Sequence, residues 1–490
     1  MTLKRKLYRN DMIRCAICHN ALCTEACGKM DPAGLLRSIW LDNDNAAAAR
    51  MPAVSPCTEC DAPCEKSCRR NIPVKEIMEK LHGIRDEETV LTEKDYERLK
   101  TNICGIPMEN PFVLSSSVVG STYDMCARAF EAGWAGACFK TICLMEIHEA
   151  SPRFSCIKGE SGAISGFKNI EQLSDHSLLE NLIVFHELKK DYPDKLLIAS
   201  IMGRDDEEWE MLARASAEAG ADVIELNFSC PNMVENGTGS DVGQCPDLVE
   251  RFTRAARRGT DKPILAKLTP NVGTMSQAGE AAKRGGADGL AAINTIKSLI
   301  EISEEENKVA VGGFSGNAVR PIAMRFIAEL AQNKNLEGMH LSAMGGIETW
   351  RDAAEFLALG AGSLQITTAV MQYGYRIVDD LKEGLALLLK HYDATYTDLI
   401  GCRLKEVVNV EEMERDIVIY PKFIRDKCIG CGRCYVSCMD GGHQAISFGE
   451  DRKPVLKPDS CVGCHLCTLV CPQEAVVSSG IVTKRKKKEQ

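Results

Sequence analysis

Two runs of four cysteines near the carboxyl end constrain this chain more than any other feature. They are Cys428, Cys431, Cys434 and Cys438, then Cys461, Cys464, Cys467 and Cys471, each spaced C-x2-C-x2-C-x3-C, with Pro472 after the last. A tight turn carrying three thiolates two residues apart can grip three irons of one cubane. The fourth thiolate, starting the next helix, points to the other cluster. That exchange assigns Cys428, Cys431, Cys434 and Cys471 to one [4Fe–4S] and Cys461, Cys464, Cys467 and Cys438 to its twin. Zinc is the alternative, although zinc sites usually use two spaced pairs rather than one run of four.

A second group of eight opens the chain: Cys15, Cys18, Cys23 and Cys27, then Cys57, Cys60, Cys64 and Cys68. Their spacings are looser, so zinc or mixed ligation stands beside cubanes here. The same exchange groups Cys15, Cys18, Cys23 and Cys68, and Cys57, Cys60, Cys64 and Cys27. Asp31 to Ala47 and Val74 to Leu81 look helical between them, which suggests a small α-helical cluster domain. The 24 cysteines suit metal in a cytoplasmic protein better than disulfides, because cytosolic thiols stay reduced. No signal peptide is expected, since Arg14 and Cys15 interrupt the apolar start at Met12-Ile13, and no apolar run is long enough to span a membrane. A net charge of −10, without a broad basic face, argues against nucleic acid as the main partner. The basic run from Lys484 to Lys488 reads as a solvated tail.

From about residue 100 short apolar runs alternate with amphipathic stretches, a β/α pattern. Candidate strands are Phe112–Ser116, Ala135–Lys140, Leu196–Met202, Ala221–Asn227, Pro263–Leu268, Gly289–Asn294, Met339–Ala343 and Ser363–Thr367, with helices such as Asp206–Ala219 and Ser276–Arg284 between. Eight such units predict an α/β chain built on a (β/α)8 TIM barrel with insertions; a doubly wound open sheet is the alternative. The N-terminal α-helical iron–sulfur domain is placed at 1–85, a linker at 86–100, the barrel at 101–415, and a ferredoxin-like 2[4Fe–4S] domain with its basic tail at 416–490. No strand leads into a G-x-G-x-x-G turn, so no nicotinamide-dinucleotide domain is expected.

Barrel enzymes work at the carboxyl ends of their strands. Those ends carry Ser115 and Ser116, Lys140-Thr141, Asn227 to Asn232, Lys267-Leu268-Thr269, Asn294-Thr295, Met344-Gly345-Gly346 and Thr367-Thr368. Glycines after the seventh strand and hydroxyls after the eighth make a phosphate cradle. Two lysines within apolar runs imply anionic or electron-rich partners, and clustered amides suit a planar heterocycle with carbonyls and ring N–H groups. Flavin mononucleotide (FMN) satisfies both demands. Cys230, in Asn227-Phe228-Ser229-Cys230-Pro231-Asn232, stands at a strand mouth. Cys126, Cys138, Cys143 and Cys402 read as core, as does Cys245, with a second active-site thiol its alternative.

Assembled, these residues resemble the dihydropyrimidine dehydrogenases, most closely the bacterial PreA-type pyrimidine-reducing subunits, within the dihydroorotate dehydrogenase-like FMN barrels. The resemblance covers about residues 100 to 480. Its matching stretches include Phe139-Lys140-Thr141, Gly166-Phe167-Lys168-Asn169, Asn227 to Pro231, Ala266 to Asn271, Ala292 to Thr295, Gly313 to Gly316 and Gly345 to Trp350. The eight-cysteine N-terminal region is similar to the α-helical cluster domain at the front of the long family members. The resemblance implies flavin contacts from Ser116, Lys140, Thr141, Lys267, Gly313, Gly345, Gly346, Thr367 and Thr368. It implies substrate contacts from Asn169, Asn227, Ser229, Asn294 and Thr295, and makes Cys230 the catalytic acid. This chain departs from the long members in lacking an FAD- and NADPH-binding section before the barrel. It has eight N-terminal cysteines where they use one non-Cys ligand, and Asn232 where they place His and dihydroorotate-type barrels place Asn.

The function implied is reduction of uracil or thymine to the 5,6-dihydropyrimidine, with hydride passing from flavin N5 to C6 and a proton from Cys230 to C5. Electrons are expected through the clusters from an NAD(P)H-oxidising flavoprotein subunit or ferredoxin, in a homo-oligomer or heteromer. Two alternatives stand. One is a dihydroorotate or other heterocycle or enoyl oxidoreductase on the same barrel. The other is an electron-transfer subunit in which the flavin is a relay and Cys230 merely packs.

Overall fold

The computed structural model describes residues 12–159, 163–233, 238–300 and 309–484. The first eleven residues and the basic run beyond 484 lie outside them. The chain divides into two compact units, Met1–Glu406 and Val407–Gln490.

The first unit is built on a closed barrel of eight parallel strands: β1 (Phe112–Leu114), β2 (Gly136–Cys138), β3 (Leu196–Ile201), β4 (Val223–Asn227), β5 (Ile264–Lys267), β6 (Gly289–Ala292), β7 (His340–Ala343) and β8 (Ser363–Ile366). Every residue of β3 and β4 is buried, as expected of parallel strands covered on both faces. All eight fall within the ranges that the apolar runs predict, and the open sheet is excluded by the pairing of β8 with β1. A polar cap starts one predicted helix: Asp205 accepts the Glu208 N–H at the head of Asp206–Glu218, whose first turn is acidic.

A four-stranded sheet outside the barrel was not anticipated. It joins Phe154–Lys158, Ile164–Asn169, Ile296–Ser298 and Gly312–Ser315, drawn from the loops after β2 and β6. Its strands are half exposed, with no apolar run to announce them.

The N-terminal region is helical, but Asp31–Ala47 is not one helix. It breaks into Pro32–Trp40 and Asp44–Ala49, with Asp42 at φ 61° between them, a left-handed turn that ends a helix. The region packs on the helices that follow β7 and β8. Trp40 Nε1 donates to Tyr373 Oη at 3.2 Å, Trp350 Nε1 to Asp42 O at 2.9 Å, and Arg376 Nη2 to the carbonyls of Ala16 and Cys18 at 3.1 and 3.2 Å. Arg37 pairs with buried Asp380 at 3.0 Å, and Arg50 with Glu383 at 3.4 Å.

Burial, reinforced by Asp380 and Asp379 and opposed by Arg50 and Arg37, pushes the Glu383 carboxyl up to about 7. The native state therefore holds this proton over a range in which the unfolded chain, near the ordinary 4.5, has released it. The proton's contribution to stability is complete below about 4.5 and is lost as pH rises through about 7. Glu383→Gln is expected to flatten the stability profile between pH 5 and 7, read by urea unfolding at each pH. An unchanged slope would show that Glu383 does not carry it.

The second unit pairs Ile417–Phe423 with Val476–Lys484 and Ile446–Phe448 with Pro454–Leu456, both antiparallel, beside helices Arg433–Gly441 and Leu466–Leu469. Its small core holds Cys434, Ile446, Cys467 and Val476. Cys126, Cys138 and Cys143 are core as expected. Cys402 is not: it is exposed, in the turn that follows the short helix Tyr396–Leu399.

Candidate active site and cluster sites

The carboxyl ends of the strands surround an open cleft with ≈ 1150 Å³ of empty space, open mouth included. Ser116, Lys140, Thr141, Asn169, Asn227, Cys230, Lys267, Asn294, Thr295, Gly345, Gly346, Thr367 and Thr368 all line it. Ser229 and Gly313 do not. Ser229 lies fully buried behind the wall, its hydroxyl donating to Asn227 Oδ1 at 2.9 Å and accepting from Asn294 Nδ2 at 2.8 Å. Gly313 accepts from Asn169 Nδ2 at 3.3 Å, and a Cβ there would meet Thr295 Oγ1 at 2.3 Å. Its missing side chain leaves room for Thr295.

Both cavity lysines are neutralised by acids that sequence reasoning passed over. Lys267, 2 % exposed, reaches Glu225 Oε1 at 3.3 Å and donates to Ser116 Oγ at 3.1 Å and Ser115 Oγ at 3.3 Å. Glu225 is fully buried in β4, and its other oxygen accepts from Gln365 Nε2 at 2.9 Å. Lys140 donates to Glu171 Oε2 at 2.9 Å and Glu149 Oε1 at 3.4 Å. Glu225 interrupts an apolar run, which was the available signal. Glu149 and Glu171 sit in the unanticipated insertion and gave none. Asn232 lines the cavity and donates through Nδ2 to Glu171 O at 2.8 Å.

Cys230 is 6 % exposed in the cavity wall. Burial pushes its thiol up to about 11, with Glu149 adding to the rise; the Asn232 N–H, Lys267 and Lys140 oppose it. The group is a thiol, not a thiolate, at neutral pH.

The cavity fits a flavin. Gly345 and Gly346 have φ of 119° and 85°, and a Cβ on Gly346 would lie 2.9 Å from Gly316 O and 3.0 Å from Arg320 N. Only glycine folds this turn so tightly, and among the described residues neither glycine N–H meets a backbone acceptor. Gln365 Oε1, in the cavity wall, is buried without a hydrogen-bond partner. Unpaired donors at one end of the cavity and an unpaired acceptor in its wall match a phosphate tail and a ring N–H.

In the second unit two further cavities, ≈ 370 and ≈ 360 Å³, are each lined by one predicted set: Cys428, Cys431, Cys434 and Cys471, and Cys438, Cys461, Cys464 and Cys467. The N-terminal cysteines gather in the exchanged pattern too. Burial pushes Cys15 up to about 12, and Cys23, Cys68 and Cys18 lie close enough to add to it. Cys57 is raised by burial, then by Cys60 and Cys27; Cys64 by burial, then by Cys27.

Residues 98–389 match the dihydroorotate dehydrogenase family, and residues 422–478 match a 4Fe–4S dicluster domain. The NAD-dependent dihydropyrimidine dehydrogenase subunit PreA of Escherichia coli (strain K12) is 49 % identical over 405 residues, spanning 80 % of this chain and 98 % of that protein. The chloroplastic dihydropyrimidine dehydrogenase (NADP(+)) of Arabidopsis thaliana is 33 % identical over 405 residues, 75 % of this chain and 93 % of that one. The catalytic subunit of dihydroorotate dehydrogenase B (NAD(+)) of Pyrococcus abyssi is 37 % identical over 311 residues, 63 % of this chain and 99 % of that one. A dihydroorotate dehydrogenase of Eimeria tenella, solved with ferulenol, shares the fold with a TM-score of 0.55 at 19 % identity, covering 64 % of this chain and 90 % of that one. The chain thus belongs to the dihydropyrimidine dehydrogenases of the dihydroorotate dehydrogenase family, oxidoreductases whose barrel is here joined to a 4Fe–4S dicluster domain.

Proposed function

We propose that this chain is a flavin-dependent pyrimidine reductase that converts uracil or thymine to the 5,6-dihydropyrimidine. The observation that carries the substrate class is the charge balance of the cavity. Its two lysines are each paired with buried carboxylates. Among the described residues no other Lys or Arg lines it. A neutral ring presenting carbonyls and N–H groups to Asn169, Asn227, Asn294 and Thr295 suits that wall, whereas the carboxylate of orotate finds no free cation there. The identity to a dihydropyrimidine dehydrogenase subunit points the same way.

Ser116, Lys140, Thr141, Lys267, Gly345, Gly346, Thr367 and Thr368 would hold FMN. When bound, the flavin supplies the hydride that C6 of the ring accepts. Cys230 gives its proton to C5. Burial and Glu149 keep that proton on sulfur until substrate arrives, while Lys140, Lys267 and the Asn232 N–H limit the cost of the thiolate left behind. Ser229 acts behind the wall, locking the amides of Asn227 and Asn294 in orientation.

Cys428, Cys431, Cys434 and Cys471, and Cys438, Cys461, Cys464 and Cys467, would hold two [4Fe–4S] clusters, and the two N-terminal cysteine sets would hold two more. Together they would supply electron transfer from a cytoplasmic partner that oxidises NAD(P)H, or from ferredoxin. Among the described residues no helix is long and apolar enough to cross a membrane. The deciding experiment is anaerobic turnover with a one-electron donor and a panel of uracil, thymine and orotate. Uracil or thymine is expected to reoxidise the reduced flavin, orotate at least tenfold more slowly. Reoxidation by orotate alone would move the enzyme to the other ring, and by none would make the flavin a relay.

A further inference from the structure

The second unit contains its own control experiment, because its two halves repeat one ligand spacing around cavities of nearly equal size, ≈ 370 and ≈ 360 Å³. The potential of a cubane is set by net charge, hydrogen bonds to its sulfurs and solvent exposure. Exposure is matched. Cys431 and Cys464 are exposed, Cys434 and Cys467 are buried, and the other two of each set are intermediate. Hydrogen bonding to sulfur does not favour the first set. There Cys471 accepts from the Ala475 N–H. In the second set Cys438 accepts from the Ala445 N–H and Cys461 from the Gly463 N–H.

Charge is not matched. Arg433 lines the first cavity. Arg452 donates through Nε and Nη2 to Gly430 O at 3.2 and 3.0 Å, and Lys453 Nζ donates to Cys428 O and, at 3.3 Å, to Arg425 O. Two cations thus bind the ligand loop itself, and the acid on their turn, Asp451, is taken up by Arg425. Among the described residues no Lys or Arg lines the second cavity. Its loop is held by His465, whose Nε2 lies 2.8 Å from Ile419 O.

We propose that Arg452 and Lys453 hold the Cys428–Cys431–Cys434–Cys471 site at a higher reduction potential than its twin, so that an electron delivered to this unit by a one-electron donor comes to rest there. The proposal rests on the cluster assignment given under the proposed function. An anaerobic redox titration of the intact protein followed by EPR tests it. Cys431→Ser, which perturbs only the first site, marks that site's step. Replacing both cations, Arg452→Gln with Lys453→Gln, is expected to change the reduced-to-oxidised ratio of the marked step about tenfold at fixed potential, a fall of about 59 mV for one electron. The twin's step should stay in place. Arg452→Lys with Lys453→Arg keeps both charges and should keep the parental potential, and added salt should shrink the gap between the steps. Lys453→Gln alone, expected near threefold, serves if the double variant loses iron. A marked step that lies below its twin, or that ignores the loss of both charges, overturns the proposal. A Cys431→Ser protein with unaltered cubane signals would instead overturn the cluster assignment.

Discussion

Cys230→Ala protein is expected to bind FMN and uracil as the parent does and to reduce the ring about 10² to 10⁴ times more slowly, the usual span for loss of a positioned general acid. Among the described residues the cavity's two lysines are already engaged. Lys140 and Lys267 are held by Glu149, Glu171 and Glu225, and Asn232 is bonded to the Glu171 carbonyl. Flavin absorbance separates a lost acid from a lost cofactor, and single-turnover reoxidation of the reduced flavin gives the rate. The parent should show a second signature. With its thiol at about 11, proton delivery should be level across neutral pH and fall only as pH rises through about 11. The reverse reaction needs the thiolate and should rise over the same interval. A variant that turned over at the parental rate would return Cys230 to packing.

The barrel was legible because parallel strands buried on both faces are written as near-continuous apolar runs. Leu196 to Ile201 and Val223 to Asn227 admit few other readings. The residues that follow such runs mark the site's floor, which is why Lys140, Asn227, Cys230, Lys267 and Asn294 could be picked out before any fold was known. The roof was not legible. Phe154–Lys158 and Ile164–Asn169 are half-exposed strands with one wet face, and Glu149 and Glu171 reach Lys140 only because the insertion folds back over the mouth. Local sequence does not encode that return. Ser229 lies buried behind the residues that line the cavity, a position the strand pattern does not disclose, for a related reason. Successive residues after a strand alternate toward and away from the cavity, and periodicity does not say where the loop leaves the strand. Three cysteines of each C-terminal set were legible from spacing, since that turn is local; the fourth comes from the other run.

Glu225→Ala is expected to destabilise the barrel by about 3–5 kcal/mol, the range for removing one partner of a buried ion pair. Glu225 has no exposed surface and Lys267 only 2 %. Without the carboxylate the ammonium would keep two serine hydroxyls at 3.1 and 3.3 Å, too little to offset its desolvation. Gln365 Nε2, which donates to Glu225, would lose an acceptor at the same moment. Glu225→Gln retains the volume and one acceptor oxygen, so a smaller loss, about half, is expected. Urea unfolding read by tryptophan fluorescence suits the measurement, because Trp209 packs 5.1 Å from Phe228, the residue that follows β4. The same substitutions should weaken flavin retention in the same order, since Lys267 is held at the cavity floor by this pair. If Glu225→Ala stayed within about 1 kcal/mol of the parent and kept its flavin, the buried pair would not be what holds Lys267 at the cavity floor.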